Sequence, residues 1–263
     1  MLKLVGLKKT FHLDDNPEND KKALQGIDLT IGEGDFVTVI GSNGSGKTTL
    51  LNLIAGTFQP DEGSIELDGI DLTKLSIHKR AKYIGRVFQD PNVGTIADIS
   101  LFENLSIASR RGKPCSPFRW ALSKQSEQEF AALLAPLGLG LETRLNAPMG
   151  TFSGGQRQSV TLLMATMVKP KVLLLDEHTA ALDPATAKKV MELTSSIVTE
   201  SKIPTLMITH NMKDAIRYGN RLIMMDAGRI VYEASGEEKA SLKPKDLIEK
   251  FPSASFSDSS VLG

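Results

Sequence analysis

Phe36-Val37-Thr38-Val39-Ile40-Gly41-Ser42-Asn43-Gly44-Ser45-Gly46-Lys47-Thr48 decides how the chain is read. The apolar run Phe36 to Ile40 has strand character, and a helical stretch from Thr48 to Ala55, closed by Gly56, follows the loop. Between them, Gly41 to Thr48 matches the P-loop pattern in the strand–loop–helix setting that the pattern requires. Glycines let the backbone curl so that several N–H groups point into one concavity, and a helix N-terminus adds about half a unit of positive partial charge. Phosphate oxygens suit such a cradle. Lys47 adds a point charge for β and γ phosphates, and the hydroxyl of Thr48 suits Mg²⁺, which prefers oxygen ligands. Ser42, Asn43, Gly44, Ser45, Gly46 and Thr49 complete the expected nucleotide contacts.

A second chemical signal lies far downstream. Val172-Leu173-Leu174-Leu175 is an apolar strand that delivers two adjacent carboxylates, Asp176 and Glu177, at its C-terminal end, where parallel sheets put their ligands. Side chains alternate along a strand, so the two acids can do different jobs. Asp176 is expected to hold Mg²⁺, directly or through water, and Glu177 to polarise an attacking water as general base.

Around these motifs the chain divides by character. Leu2 to Val5 and Ile27 to Ile31 read as strands, Asp14 to Lys22 as a polar exposed loop, Ile65 to Leu67 with Asp68-Gly69 as a hairpin signal, and Tyr83 to Phe88 as a further strand. Ser100 to Pro148 lacks strand-like alternation and carries a helical face at Phe130, Leu133, Leu134 and Leu137, closed by Gly138. This is read as a helical insertion, with Arg110 to Pro117 a solvated loop. Beyond Gly150, helices at 154–168, 185–198 and 212–218 alternate with strands at 172–175, 205–209 and 222–225, which predicts a parallel sheet covered by helices. Asn211-Met212-Lys213-Asp214 is near the guanine-reading pattern Asn-Lys-x-Asp, but its Lys is one place late, so it is read as a helix start. Ala227-Gly228 joins two short strands, Lys245 to Phe251 reads as a last helix, and the Ser-rich stretch from Pro252 to Gly263 as a disordered tail.

The chain has 263 residues, with 31 basic and 31 acidic side chains that cancel, which removes the bulk attraction a sequence-independent nucleic-acid binder relies on. Hydrophobic residues at 41% and charged ones at 24% are ordinary globular usage and allow a real core. The lone Cys115 cannot form an intrachain disulfide and points to a reducing compartment, the cytosol. No apolar run approaches the roughly 18 to 20 residues that span a bilayer, and Met1 to Leu4 lacks the apolar region of a signal peptide. Any membrane role is expected to come through a partner.

Phe152-Ser153-Gly154-Gly155-Gln156-Arg157-Gln158 resembles the signature sequence of ATP-binding-cassette ATPases, usually Leu-Ser-Gly-Gly-Gln, and lies between the P-loop and the acidic strand as in that family. The resemblance covers roughly Leu2 to Tyr232. It implies an α/β fold: a P-loop NTPase core with a mixed, largely parallel sheet, an N-terminal antiparallel β region and an inserted helical subdomain. The implied layout is a single nucleotide-binding domain, with 1–90 and 150–232 forming the RecA-like core and antiparallel region, about 91–149 the helical subdomain and 233–263 a C-terminal extension.

The same resemblance implies an ATPase using ATP and Mg²⁺ that dimerises head to tail. Ser153, Gly154, Gly155 and Gln156 of one copy would meet the γ-phosphate held by the other, a use of a helix start as an anion site. Gln89 looks like the glutamine that touches Mg²⁺ or water and senses the membrane partner. Asp183 resembles the acid that crosses the dimer interface, His210 the histidine that contacts the γ-phosphate, and Phe11 the aromatic on which adenine stacks. Three positions depart from the usual family residues: His178 stands for Pro, Phe152 for Leu and Phe11 for Tyr. None removes a catalytic atom. The runs Asp176 to Ala180 and Gly85 to Pro91 look similar to bacterial importer ATPases that pair with a ribose-permease-like subunit and a separate substrate-binding protein, some of them for amino acids. The expected position is therefore cytoplasmic, on the inner face of the membrane through the permease, without nucleic acid as a partner. The competing expectations are an ATPase of the same superfamily that regulates a membrane complex mechanically, and a nucleotide-binding scaffold without turnover, which Glu177 and His210 disfavour.

Overall fold

A computed structural model describes residues 1–12, 14, 16, 19–113 and 124–251. Cys115, the end of the Arg110 to Pro117 segment and the tail from Pro252 lie outside them. In chain order the strands are β1 (Leu2–Phe11), β2 (Lys21–Ile31), β3 (Phe36–Gly41), β4 (Glu62–Leu67), β5 (Ile70–Asp71), β6 (Ile84–Val87), β7 (Val172–Asp176), β8 (Thr205–Ile208), β9 (Arg221–Asp226) and β10 (Arg229–Ser235). The helices are α1 (Lys47–Ala55), α2 (Ile77–Arg80), α3 (Leu101–Ala108), α4 (Lys124–Leu134), α5 (Gly154–Thr166), α6 (Pro184–Ser201), α7 (Met212–Arg217), α8 (Gly236–Ser241) and α9 (Pro244–Lys250). One sheet, β2-β1-β4-β5, is antiparallel. The other, β10-β9-β3-β8-β7-β6, is parallel except for β10.

The parallel sheet is covered on both faces, which is why β7 is a continuous apolar run. Val172 and Leu174 pack toward α1 and the antiparallel sheet, among Leu50, Leu53, Leu4 and Ile65. Leu173 and Leu175 point the other way, against Leu162 of α5 and Met191 and Val198 of α6. Burial of each such side chain contributes on the order of 1.5–3 kcal/mol. A third apolar cluster lies in the insertion, where Leu101, Phe102 and Leu105 of α3 meet Phe130 and Leu134 of α4 and Val160 and Leu163 of α5. Phe152, at the position usually Leu, is buried in this cluster. Residues after β10 also fold back, with Leu247 and Phe251 packing on Met212 and Ala215 of α7.

Three expectations shift. Leu133 is not part of the buried face of α4 but 42% exposed, because Phe130 and Leu134 already define the i, i+4 stripe that reaches the cluster. Lys21 and Lys22 belong to β2 rather than to the preceding loop, paired with Phe11 and Thr10. Since β2 lies at the sheet edge, polar side chains are tolerated at its start. The charged stretch after β10, which carries no periodic pattern of its own in the sequence, folds as the six-residue helix α8.

Two buried polar side chains brace the layers. Arg80 is fully buried: its Nη1 donates to the carbonyls of Leu53 and Ile54, its Nε to Leu75 and its Nη2 to Thr73. Its charge thus sits at the C-terminal end of α1, where the last carbonyls lack helical partners. His178, just after β7, is buried with its Nε2 3.0 Å from Thr194 Oγ1 on α6. Thr194 Oγ1 donates its own hydrogen to Val190 O, so Nε2–H of His178 is the donor to Thr194. Burial pushes the His178 imidazole down to about 4.

Arg80→Met is expected to lower stability by about 3 kcal/mol, since it strips a charged donor from several buried carbonyls; chemical denaturation measures it, and a loss under 1 kcal/mol contradicts the brace. The folded His178 binds its proton only near pH 4 whereas the unfolded one does so near 6.5. Stability from keeping it neutral is therefore complete above pH 6.5 and is lost as pH falls toward 4, by up to about 3 kcal/mol. His178→Phe should flatten that part of the pH–stability curve, and an unchanged acid limb would assign the loss to other groups.

Candidate nucleotide site

The loop between β3 and α1 is held from behind. A Cβ at Gly46, whose φ is 102°, would stand 2.5 Å from the carbonyl oxygen of Ala23, so only glycine lets the loop lie against β2. Gly228 N–H donates to Ser45 O at 3.0 Å, tying the loop to the β9–β10 turn. The hydroxyl of Ser42 lies 3.4 Å from Asp226 Oδ1. Lys47, 5% exposed, curls back so that Nζ donates to Gly41 O at 2.7 Å and Ser42 O at 2.9 Å. An ammonium has three hydrogens, so one remains for a ligand. Burial pushes Lys47 below the usual lysine range, against the pull of Glu177 and Asp176, which favour its charged form.

In front of the loop opens a cleft of about 360 Å³. Its floor is Asn43 to Thr49. Phe11, Gln89, Glu177 and His210 form the walls, so residues separated by up to 199 positions meet at one opening. Phe11 also stands edge-on to Phe58, with ring centroids 5.3 Å apart. Lys21 and Ala23 of β2 line the cleft too. Neither carries a motif; the signal that exposes Lys21 is its register opposite Phe11.

Glu177 and His210 touch, with Nε2 2.5 Å from Oε1. Glu177 takes a φ of 47°, a left-handed conformation that a non-glycine residue adopts at a cost of about 1–3 kcal/mol. Its N–H donates to Ile208 O at 3.1 Å, and its C=O accepts from Ala180 N–H at 2.9 Å, so the turn is fixed from both sides.

Asp176 is placed differently. It does not line the cleft; Oδ2 accepts a hydrogen bond of 3.1 Å from Arg86 Nη2. Burial raises its pKa above the usual aspartate range, and the Arg86 bond opposes that rise. Thr48, Gln89 and Asp176 offer a hydroxyl, an amide oxygen and a carboxylate, a hard oxygen set of the kind Mg²⁺ takes. Among the described residues no cluster of three His, Cys, Asp or Glu side chains forms a metal cage. Thr48 and Gln89 line the cleft and Asp176 does not, so an ion there would complete its shell with phosphate oxygens and water.

The signature residues lie elsewhere. Ser153 caps α5: its Oγ accepts from Gln156 N–H while Gln156 Oε1 accepts from Ser153 N–H, a reciprocal box. A Cβ at Gly155 would fall 2.1 Å from Thr186 Cγ2, so α5 and α6 require glycine at their contact. Asp183 caps α6, accepting from Thr186 N–H at 3.1 Å, and these hydrogen bonds hold its carboxyl below the usual range. Ser153, Gly154, Gly155, Gln156 and Asp183 do not line the cleft of their own chain.

Comparison with known proteins bears on the whole arrangement. The ABC transporter family model matches residues 24–180. The chain is 43% identical over 252 residues, 95% of its length and 98% of the relative's, to the tyrosine transport ATP-binding protein of Clostridioides difficile (strain R20291). It is 32% identical over 259 residues, 97% of its length and 71% of the relative's, to the methionine import ATP-binding protein MetN of Haemophilus influenzae (strain 86-028NP). Among solved structures, the dimeric post-hydrolysis state of the ATP-binding cassette MJ0796 bound to ADP and Pi superposes with a TM-score of 0.74 at 29% identity, covering 89% of this chain and 98% of that one. With a P-loop, an acidic strand end and a signature helix in this order on the matching fold, the chain belongs to the ABC transporter family, as an ATP-binding subunit whose ATP hydrolysis is coupled to transport.

Proposed function

We propose that two copies of the chain close head to tail on two ATP molecules with Mg²⁺, and that this closure drives a separate membrane permease in the import of an amino acid. The observation that carries the chemistry is the 2.5 Å contact of Glu177 with His210 at the wall of a cleft floored by Asn43 to Thr49. The N–H groups of the loop and the spare hydrogen of Lys47 hold the phosphates. Phe11 stacks on the base. Glu177 accepts a proton from water as the water oxygen attacks the γ-phosphorus and the bond to the ADP oxygen breaks; His210 orients that carboxylate and contacts the γ-phosphate. Thr48, Gln89 and Asp176 would hold the Mg²⁺, which would supply charge neutralisation to the phosphates.

Ser153, Gly154, Gly155, Gln156 and Asp183 are assigned to the site of the second copy. Supporting that assignment, Ser153 and Asp183 cap the starts of α5 and α6, and none of these residues lines the cleft of its own chain. Residues 1–90 and 150–232 are assigned to the catalytic core, about 91–149 to a helical subdomain and 233–263 to an extension. Closure excludes water and strengthens the phosphate contacts, and the free-energy difference between open and closed pairs is what can shift a partner between its states.

Among the described residues no helix is long and apolar enough to cross a membrane, so the permease is assigned to another polypeptide and this chain to the inner membrane face. Val93 and Ile96, 61% and 51% exposed just after Gln89, form the proposed dock. The name of the Clostridioides difficile relative, a tyrosine transport ATP-binding protein, supports an aromatic amino acid as the solute, and its delivery is assigned to a separate binding protein.

Glu177→Gln is expected to lower turnover by roughly 10²- to 10⁴-fold with ATP binding intact, and undiminished hydrolysis removes Glu177 from the role. Lys47→Ala should weaken ATP binding itself; unchanged affinity in a titration counts against the cradle. Val93→Asp with Ile96→Asp should abolish copurification of the permease from mild detergent while ATP hydrolysis persists, and retained copurification moves the dock elsewhere. Loss of amino-acid uptake in cells lacking the chain tests the solute class.

A further inference from the structure

Arg86 carries no motif role, yet it holds Asp176, the acid assigned to the metal. It lies on β6 opposite Leu174 of β7, so a long side chain reaches the strand end two residues on, where Nη2 meets Asp176 Oδ2 at 3.1 Å. Both side chains are nearly buried, at 15% and 14% exposure. The guanidinium also stacks on Phe88, 4.6 Å from the ring centroid, and Phe88 immediately precedes Gln89.

The pair is a single-point contact. Arg86 Nε is buried with no acceptor, whereas an arginine that locks a carboxylate does so with two parallel bonds. A buried carboxylate needs a counter-charge whether or not a divalent ion is present. Once such an ion stands beside Asp176, the guanidinium faces a like charge across a few ångströms of low dielectric.

We propose that Arg86 is the resident counter-ion of Asp176, neutralising it until a divalent cation arrives with ATP and then yielding the carboxylate, with Phe88 passing the displacement to Gln89. This rests on the assignment of Asp176 to the metal. Arg86 is thus a positioning residue that makes metal binding compete with an internal cation and ties that exchange to the segment proposed to meet the permease.

Mn²⁺ titrated by electron paramagnetic resonance into the chain loaded with a non-hydrolysable ATP analogue tests it. Arg86→Met should bind Mn²⁺ roughly five- to tenfold more tightly than the unaltered chain, because the ion no longer competes with an internal cation for the Asp176 carboxylate. In the Asp176→Asn background the same substitution should change nothing. Unchanged or weaker Mn²⁺ binding by Arg86→Met, with Asp176→Asn itself weakening binding, overturns the counter-ion role alone. If Asp176→Asn leaves Mn²⁺ binding unaltered, the metal assignment and the counter-ion fall together. Should Arg86→Met not fold, the unaltered chain labelled with ¹⁵N-arginine decides: the Arg86 side-chain resonance, identified by its absence in Arg86→Lys, should shift when Mg²⁺ joins the analogue-bound protein, and a stationary resonance overturns the proposal.

Discussion

Parallel pairing of three strands is the constraint on which the site depends. Ile208 of β8 is in register with Val39 of β3 on one side and with Asp176 of β7 on the other. The C-terminal ends of these strands therefore lie at one level, and whatever follows each of them is delivered to the same edge. After β3 comes the glycine loop, after β7 the acid pair and after β8 His210. Antiparallel pairing at either join would have sent one of these groups to the far end of the sheet.

The edge is also an electrostatic arrangement. Lys47 and Arg86 face Asp176 and Glu177 in a partly buried space, and each cation is engaged by a different partner: Lys47 by the carbonyls of its own loop, Arg86 by Asp176. Glu177 is left to His210. On the proposed reading this division keeps one acid for charge balance and the other for proton chemistry, a separation by environment rather than by residue type.

Much of this was legible in the residues. The strand–loop–helix at Phe36 to Ala55 and the apolar strand ending in Asp176-Glu177 each carry periodicity and punctuation, so their elements could be read. The buried faces of β7 were implied by its unbroken apolar run. What could not be read were contacts set by register between distant strands: Lys21 beside Phe11, Arg86 on Asp176, Arg80 beneath α1. A lone Lys or Arg in a strand or short helix has no local pattern that distinguishes a solvated charge from a buried brace. Leu133 failed for the opposite reason, since apolar residues at i, i+3 and i+4 outnumber the positions that a small helical cluster can cover.

The α5–α6 crossing carries a consequence for how the outward face is shaped. The space at Gly155 is filled by a methyl group of Thr186 from the same chain, so even alanine would collide there before any twin or nucleotide approached. The glycine at that helix start is thus fixed by packing within the chain. Fitting two helices together settles a residue that the proposed contact with a twin would also use, and a substitution there would harm the chain's own packing as well.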